Sequence, residues 1–176
     1  MGQLRVPFAL LIVLFAAPVL ALDHVDLAVG QLARPTGSSA PNVVQASAGW
    51  NLPWHWLDSD SGQLQSRLDV DAGYIGTASG DVWHAAISPV LRYQWHAAEQ
   101  RGFFVEASIG LAWVSAQHWN DEHDMGTRVL FADRLGMGYR FGMQEVGLHV
   151  LHYSNADTAE HNAGAEVVYL RYGRWF

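Results

Sequence analysis

The sequence predicts an all-β protein, an eight-stranded antiparallel transmembrane β-barrel. Three observations carry this expectation. Hydrophobicity alternates with a period of two along almost the whole chain beyond residue 22, the signature of strands with two different faces. The alternating stretches number eight, each of about ten residues or more, separated by turn-like segments. Large aromatic residues fall near the ends of those stretches, where a membrane interface favours them.

The first stretch sets Val25, Leu27 and Val29 against Asp26 and Ala28. In the second, Val44, Ala46, Ala48, Trp50, Leu52 and Trp54 oppose Gln45, Ser47, Gly49 and Asn51. The third sets Leu64, Leu68, Val70, Ala72 and Tyr74 against Gln65, Arg67, Asp69 and Asp71. The fourth alternates Trp83, Ala85, Ile87, Pro89, Leu91, Tyr93 and Trp95 with His84, Ser88, Arg92 and Gln94. The fifth pairs Phe103, Val105, Ala107, Ile109, Leu111 and Trp113 with Glu106, Ser108 and Gly110. The sixth puts Val129, Phe131, Leu135, Met137, Tyr139 and Phe141 opposite Arg128, Arg134, Gly136, Gly138 and Arg140. The seventh has Val146, Leu148 and Val150 on one face, and the eighth Val168, Leu170, Tyr172 and Phe176 against Tyr169, Arg171 and Gly173.

In hydrocarbon an unpaired backbone amide costs several kcal/mol, so spanning strands must close on themselves. The polar set (Arg67, Asp69, Asp71, Arg92, Glu106, Arg134, Arg140) then fills a lumen just wide enough to be packed by side chains. A soluble sandwich or lipocalin-like barrel would turn the apolar face inward. That arrangement seldom collects aromatics at strand ends, and its charged surface is normally rich in Lys, which this chain lacks.

The N-terminus reads as a secretory signal over residues 1–21, with Arg5, the apolar run Val6 to Ala17 and small residues before a cleavage point at Leu22. Residues 22–176 form the barrel. With both termini at the periplasmic end, the connections 31–41, 77–81, 116–126 and 155–163 face outward, and the inner ones are short except for 55–62. Terminal Phe176 resembles the C-terminal aromatic signal of bacterial outer-membrane barrels, and the expected location is the bacterial outer membrane. Cysteine is absent, which excludes disulfides, thiol nucleophiles and Cys-based metal sites. A net charge of −7 leaves no basic footprint for nucleic acid.

The stretch "LHVLHYSNADTAEHNAGAEVVYL", residues 148–170, holds the chemistry. His152 and Ser154 continue the apolar, lipid-facing parity of Val146, Leu148 and Val150, and Glu166 opens the matching series of the last strand. If the ladder pairs 152 with 166, the Cβ atoms lie about 5 Å apart. A serine hydroxyl needs a base, and the base needs an orienting group. His152 is then the base, Ser154 the nucleophile and Glu166 the orienting carboxylate. Asn155 offers an amide or its backbone N–H to an oxyanion hole. Polar groups without partners are costly on a lipid-facing surface, so three together there point to function. The alternative is three wet residues at headgroup depth.

The motif "HYSNADTAEHNAGAE" resembles the signature of the outer-membrane lipid A 3-O-deacylases, the PagL family: His-x-Ser-Asn with a Glu about a dozen residues after the serine. The resemblance implies an eight-stranded barrel with His152, Ser154 and Glu166 as an outward triad and Asn155 at the oxyanion hole. Asn162 matches a further, structural Asn of that family's loop. Asp157 departs from a small or apolar residue, and His161 from a Pro. The implied reaction is hydrolysis of the 3-position ester of lipid A in lipopolysaccharide, releasing a 3-hydroxy fatty acid, with no cofactor or metal. A lipid substrate would reach an outward site sideways through the membrane.

Other readings are an outer-membrane phospholipase or acyltransferase using the same site, or a structural or adhesive barrel. Pairing of two barrels into a homodimer is compatible with the pattern. "QHWNDEHD" (117–124) brings His118, Asp121, Glu122, His123 and Asp124 together, a metal-ligand set on paper and otherwise a solvated loop. Arg128, Arg134 and Arg140 share a face and read as part of the lumen salt-bridge network.

Overall fold

His24 pairs with Trp175 across the first and last strands, and that pairing closes the sheet. A computed structural model describes residues 22–36 and 41–176; the segment read as a signal, 1–21, lies outside the described residues. Eight strands form the barrel: β1 (His24–Arg34), β2 (Val43–Ser59), β3 (Gly62–Thr77), β4 (Gly80–Trp95), β5 (Arg101–Val114), β8 (Val129–Phe141), β9 (Gln144–Ser154) and β10 (Ala165–Trp175). A two-stranded hairpin, β6 (His118–Asn120) and β7 (His123–Asp124), lies in the connection between β5 and β8. Every barrel neighbour pair is antiparallel, in the order β1-β10-β9-β8-β5-β4-β3-β2.

Burial alternates along the strands with the polar set inside. Leu27, Phe103, Ile109, Leu135, Met137 and Leu170 are more than 60% exposed, whereas Arg67, Asp69, Arg92, Glu106, Arg134 and Arg171 are at most 4% exposed. The barrel is therefore inverted relative to a soluble protein, as a hydrocarbon solvent requires. Two carboxylates organise the lumen. Asp69 meets Arg67 at 2.9 Å, Arg134 at 2.6 Å and Arg171 at 3.3 Å. Glu106 meets Arg67 at 2.9 Å, Arg171 at 3.3 Å and Arg92 at 3.6 Å. Toward the outer end the filling becomes apolar, with Ile75, Val114, Leu130, Tyr153 and Val167 buried.

Three expectations are corrected. Residues 55–62 are not a loose connection. β2 runs to Ser59 and β3 starts at Gly62, and the shared ladder is broken between Asn51 and His55 and again between Trp56 and Ser59. The extended hairpin keeps its backbone paired while its irregularities erase the regular alternation that marks a strand. The 117–124 segment is not simply a solvated loop, since Trp119 is fully buried, as is Met125 just beyond it. Arg128 is exposed and precedes β8, so it does not join Arg134 in the lumen. Arg140 is half-buried at the inner mouth, 4.3 Å over the Trp175 ring.

Candidate active site

Strand β9 ends at Ser154, and its last inward residue is Tyr153. Tyr153 is fully buried, bonded through its hydroxyl to His84 Nδ1 at 3.1 Å and packed edge-on against Trp119 at 5.7 Å. Alternation then sends its two neighbours, His152 and Ser154, to the outer surface. One inward anchor thus aims two polar side chains into the lipid-facing layer.

The register brings a row of polar residues together on that surface. His152 pairs with Glu166 of β10 on one side and with Asp133 of β8 on the other, and Glu166 pairs with Arg34 of β1. His152 Nδ1 lies 2.9 Å from Glu166 Oε1. This contact assigns the Nδ1–H tautomer to a neutral imidazole and leaves Nε2 as the free basic nitrogen. Ser154 lies two residues along the same face. Its hydroxyl makes no hydrogen bond among the described residues, so the base–nucleophile contact stands open.

Asn155 is buried, and both kinds of donor it carries are engaged. Its side-chain amide donates to the Met125 carbonyl at 2.9 Å and the His161 carbonyl at 2.6 Å. Its backbone N–H donates to Asn162 Oδ1 at 3.0 Å. Asn162 in turn donates to Asp157 Oδ1 at 2.9 Å, so the departing residue Asp157 braces the loop. The turn after the serine is tight: Thr158 N–H donates to the Asn155 carbonyl, and both residues between them, Ala156 and Asp157, have positive φ. Non-glycine residues in that region are strained and persist only where their surroundings hold them.

Asp133 escaped sequence reasoning. It interrupts the apolar face of β8, and its Oδ1 is buried with no hydrogen-bond partner among the described residues. The available signal was an acid at lipid-facing parity between Phe131 and Leu135. From Asp133 and His152 an apolar groove of about 710 Å³ crosses the outer surface, lined by Val150, Leu135, Ile109, Pro89, Trp54 and Trp56 among others. It spans β9, β8, β5, β4, β3 and β2, about 24 Å at five strand spacings.

In the outer loops, His118 lies 3.3 Å and His161 4.0 Å from Asp124. Among the described residues, no group of three or more His, Asp or Glu is arranged to hold a metal ion.

Comparison with known proteins bears on the family and the fold. Residues 43–175 match the family model described as Lipid A 3-O-deacylase (PagL). The chain is 31% identical over 171 residues to a Pseudomonas aeruginosa protein named Lipid A deacylase PagL, covering 94% of this chain and 95% of that one. It is 32% identical over 123 residues to the Bordetella bronchiseptica protein of the same name, covering 67% and 66%. The crystal structure of the outer membrane enzyme PagL superimposes with a TM-score of 0.77 at 27% identity, over 87% of this chain and 99% of that one. A closed eight-stranded barrel and a match over most of the chain agree, and the chain belongs to the lipid A 3-O-deacylase (PagL) family.

Proposed function

We propose that the protein hydrolyses the 3-O-acyl ester of lipid A in the bacterial outer membrane, with Ser154, His152 and Glu166 as the reacting triad. The observation that carries this reading is the His152–Glu166 pair on the lipid-facing surface at the mouth of an apolar groove. A water-soluble substrate would gain nothing from that placement. An acylated sugar in the outer leaflet presents its ester there and can lay a fatty chain along the groove.

The chemistry follows from the groups present. A side-chain rotation brings Ser154 Oγ onto His152 Nε2, which takes the hydroxyl proton as Oγ attacks the ester carbonyl. Glu166 holds the Nδ1–H and balances the imidazolium that forms. The tetrahedral oxyanion needs donors aimed at it. Asn155 serves through its backbone N–H, exchanging Asn162 Oδ1 for the oxyanion while its side-chain amide keeps the loops in place. His152 then returns the proton to the departing sugar oxygen, and water attacks the acyl-enzyme by the same route, releasing the fatty acid. Asp133 lines the groove, and a rotation of its carboxylate brings an oxygen lacking a donor to a 3-hydroxyl on the acyl chain.

Purified protein incubated with lipopolysaccharide, followed by mass analysis of lipid A, tests the reaction. Loss of one hydroxyacyl chain is expected. Altered phospholipid with intact lipid A would favour a phospholipase or acyltransferase, and no change in either would leave a structural barrel.

A further inference from the structure

Arg34 stands outside the triad, and its position in β1 makes its orientation unexpected. By strict alternation it shares parity with Asp26, Ala28 and Leu32, all buried. Leu32 pairs with Val167 and Arg34 with Glu166, so Ala33 is an extra residue in the β1 ladder. This bulge turns Arg34 onto the outer face, directly opposite Glu166.

The guanidinium there engages both oxygens of the carboxylate. Nε donates to Oε2, and Nη2 donates to Oε1 at 2.8 Å. Oε1 is the oxygen that also receives His152 Nδ1. Gly164 makes room for this convergence: a Cβ at that position would lie 2.9 Å from Arg34 Nη2 and 3.3 Å from His152 Cε1.

We infer that Arg34 is a positioning residue that clamps the Glu166 carboxylate so that Oε1 stays on the imidazole. The inference rests on the proposed roles of His152 and Glu166. A carboxylate held by a single bond can swing about its terminal torsion, whereas the two-pronged guanidinium contact fixes both oxygens in one plane. A carboxylate facing lipid also needs a counter-charge, which Arg34 provides without carrying a proton in the reaction.

The test compares full-length Arg34→Ala and Arg34→Gln with the parent protein on lipopolysaccharide in detergent micelles, with heat-modifiable gel mobility reporting the folded barrel. Arg34→Gln carries the comparison if the alanine variant does not fold. The expected result is a fall in kcat of between about 10- and 100-fold with KM little changed. Added guanidinium ion at millimolar level should restore part of the loss in Arg34→Ala. In a Glu166→Ala background the same substitution should cost nothing further and show no rescue, because the residue acts through that acid. Undiminished kcat in both folded variants would overturn the inference. So would a loss that appears in KM and persists without Glu166, which would make Arg34 a contact for the anionic lipid headgroup. A parallel Ser154→Ala measurement separates the two levels. Full activity in Ser154→Ala would remove the triad itself, whereas an inactive Ser154→Ala beside normal Arg34 variants would remove only the clamp.

Discussion

Tyr153 explains why a hydrolytic site can exist on a surface built for lipid. Its burial against Trp119 and His84 contributes about 2 kcal/mol of apolar transfer and a hydrogen bond, and it forces His152 and Ser154 outward. On the outer face the imidazole has a carboxylate on each flank, Glu166 and Asp133, with only Glu166 bonded to it. Ser154→Ala and His152→Ala should each reduce release of hydroxy fatty acid to background while heat-modifiable mobility is unchanged. Glu166→Ala should lose less, because an orienting carboxylate matters less than the base or nucleophile. Near-normal release by either of the first two would refute the assignment. Asp133→Ala should lower the preference for 3-hydroxyacyl over unsubstituted acyl esters by about 10- to 100-fold, the worth of one hydrogen bond to a charged group; competition between the two esters measures it.

At the scale of elements, two irregularities do the positioning that regular strands cannot. The β6–β7 hairpin drops Trp119 and Met125 into the outer mouth and offers the Met125 carbonyl to Asn155, tying one outer loop to the next. Trp119→Ala should cost about 3–5 kcal/mol locally. The expected readout is protease cleavage within 115–128 and a loss of activity while the barrel itself stays folded. A resistant, fully active variant would show that the hairpin is not a brace. The bulge in β1 acts on the other side of the site. Deleting Ala33 should restore the regular ladder with Arg34 directly after Leu32 and still opposite Glu166, and so leave kcat close to that of the parent protein. A fall in kcat as large as that of Arg34→Ala would mean that pairing opposite Glu166 does not place the guanidinium.

Across the whole molecule, the charged lumen and the greasy exterior are one arrangement seen from two sides. Four buried arginines, Arg67, Arg92, Arg134 and Arg171, are held chiefly by Asp69 and Glu106, reinforced by Asp26, Asp71 and Glu145. Removing one partner of a buried pair leaves an uncompensated charge and costs about 3–5 kcal/mol. Asp69→Ala should therefore lower the temperature at which the folded band converts on heating, without moving His152 or Glu166. An unchanged conversion temperature would show that the network does not hold the barrel. This rigid cylinder is what lets a site on its outer wall keep its geometry beside fluid lipid.

The barrel was legible in the linear order of residues because a bilayer imposes period two on every strand, and a period can be read without knowing what pairs with what. Parity alone likewise set His152, Ser154 and Glu166 on the outer face. It failed where an inserted residue shifts the phase, as at Ala33, and at the broken ladder of 51–59. Nor could it reveal where a loop folds back, as Trp119 does. The pairing of His152 with Glu166, the hold of Arg34 on that acid and the engagement of both Asn155 donors are relations between distant segments. Only ladder register and loop packing decide them, because each depends on distances across strands that no local pattern encodes.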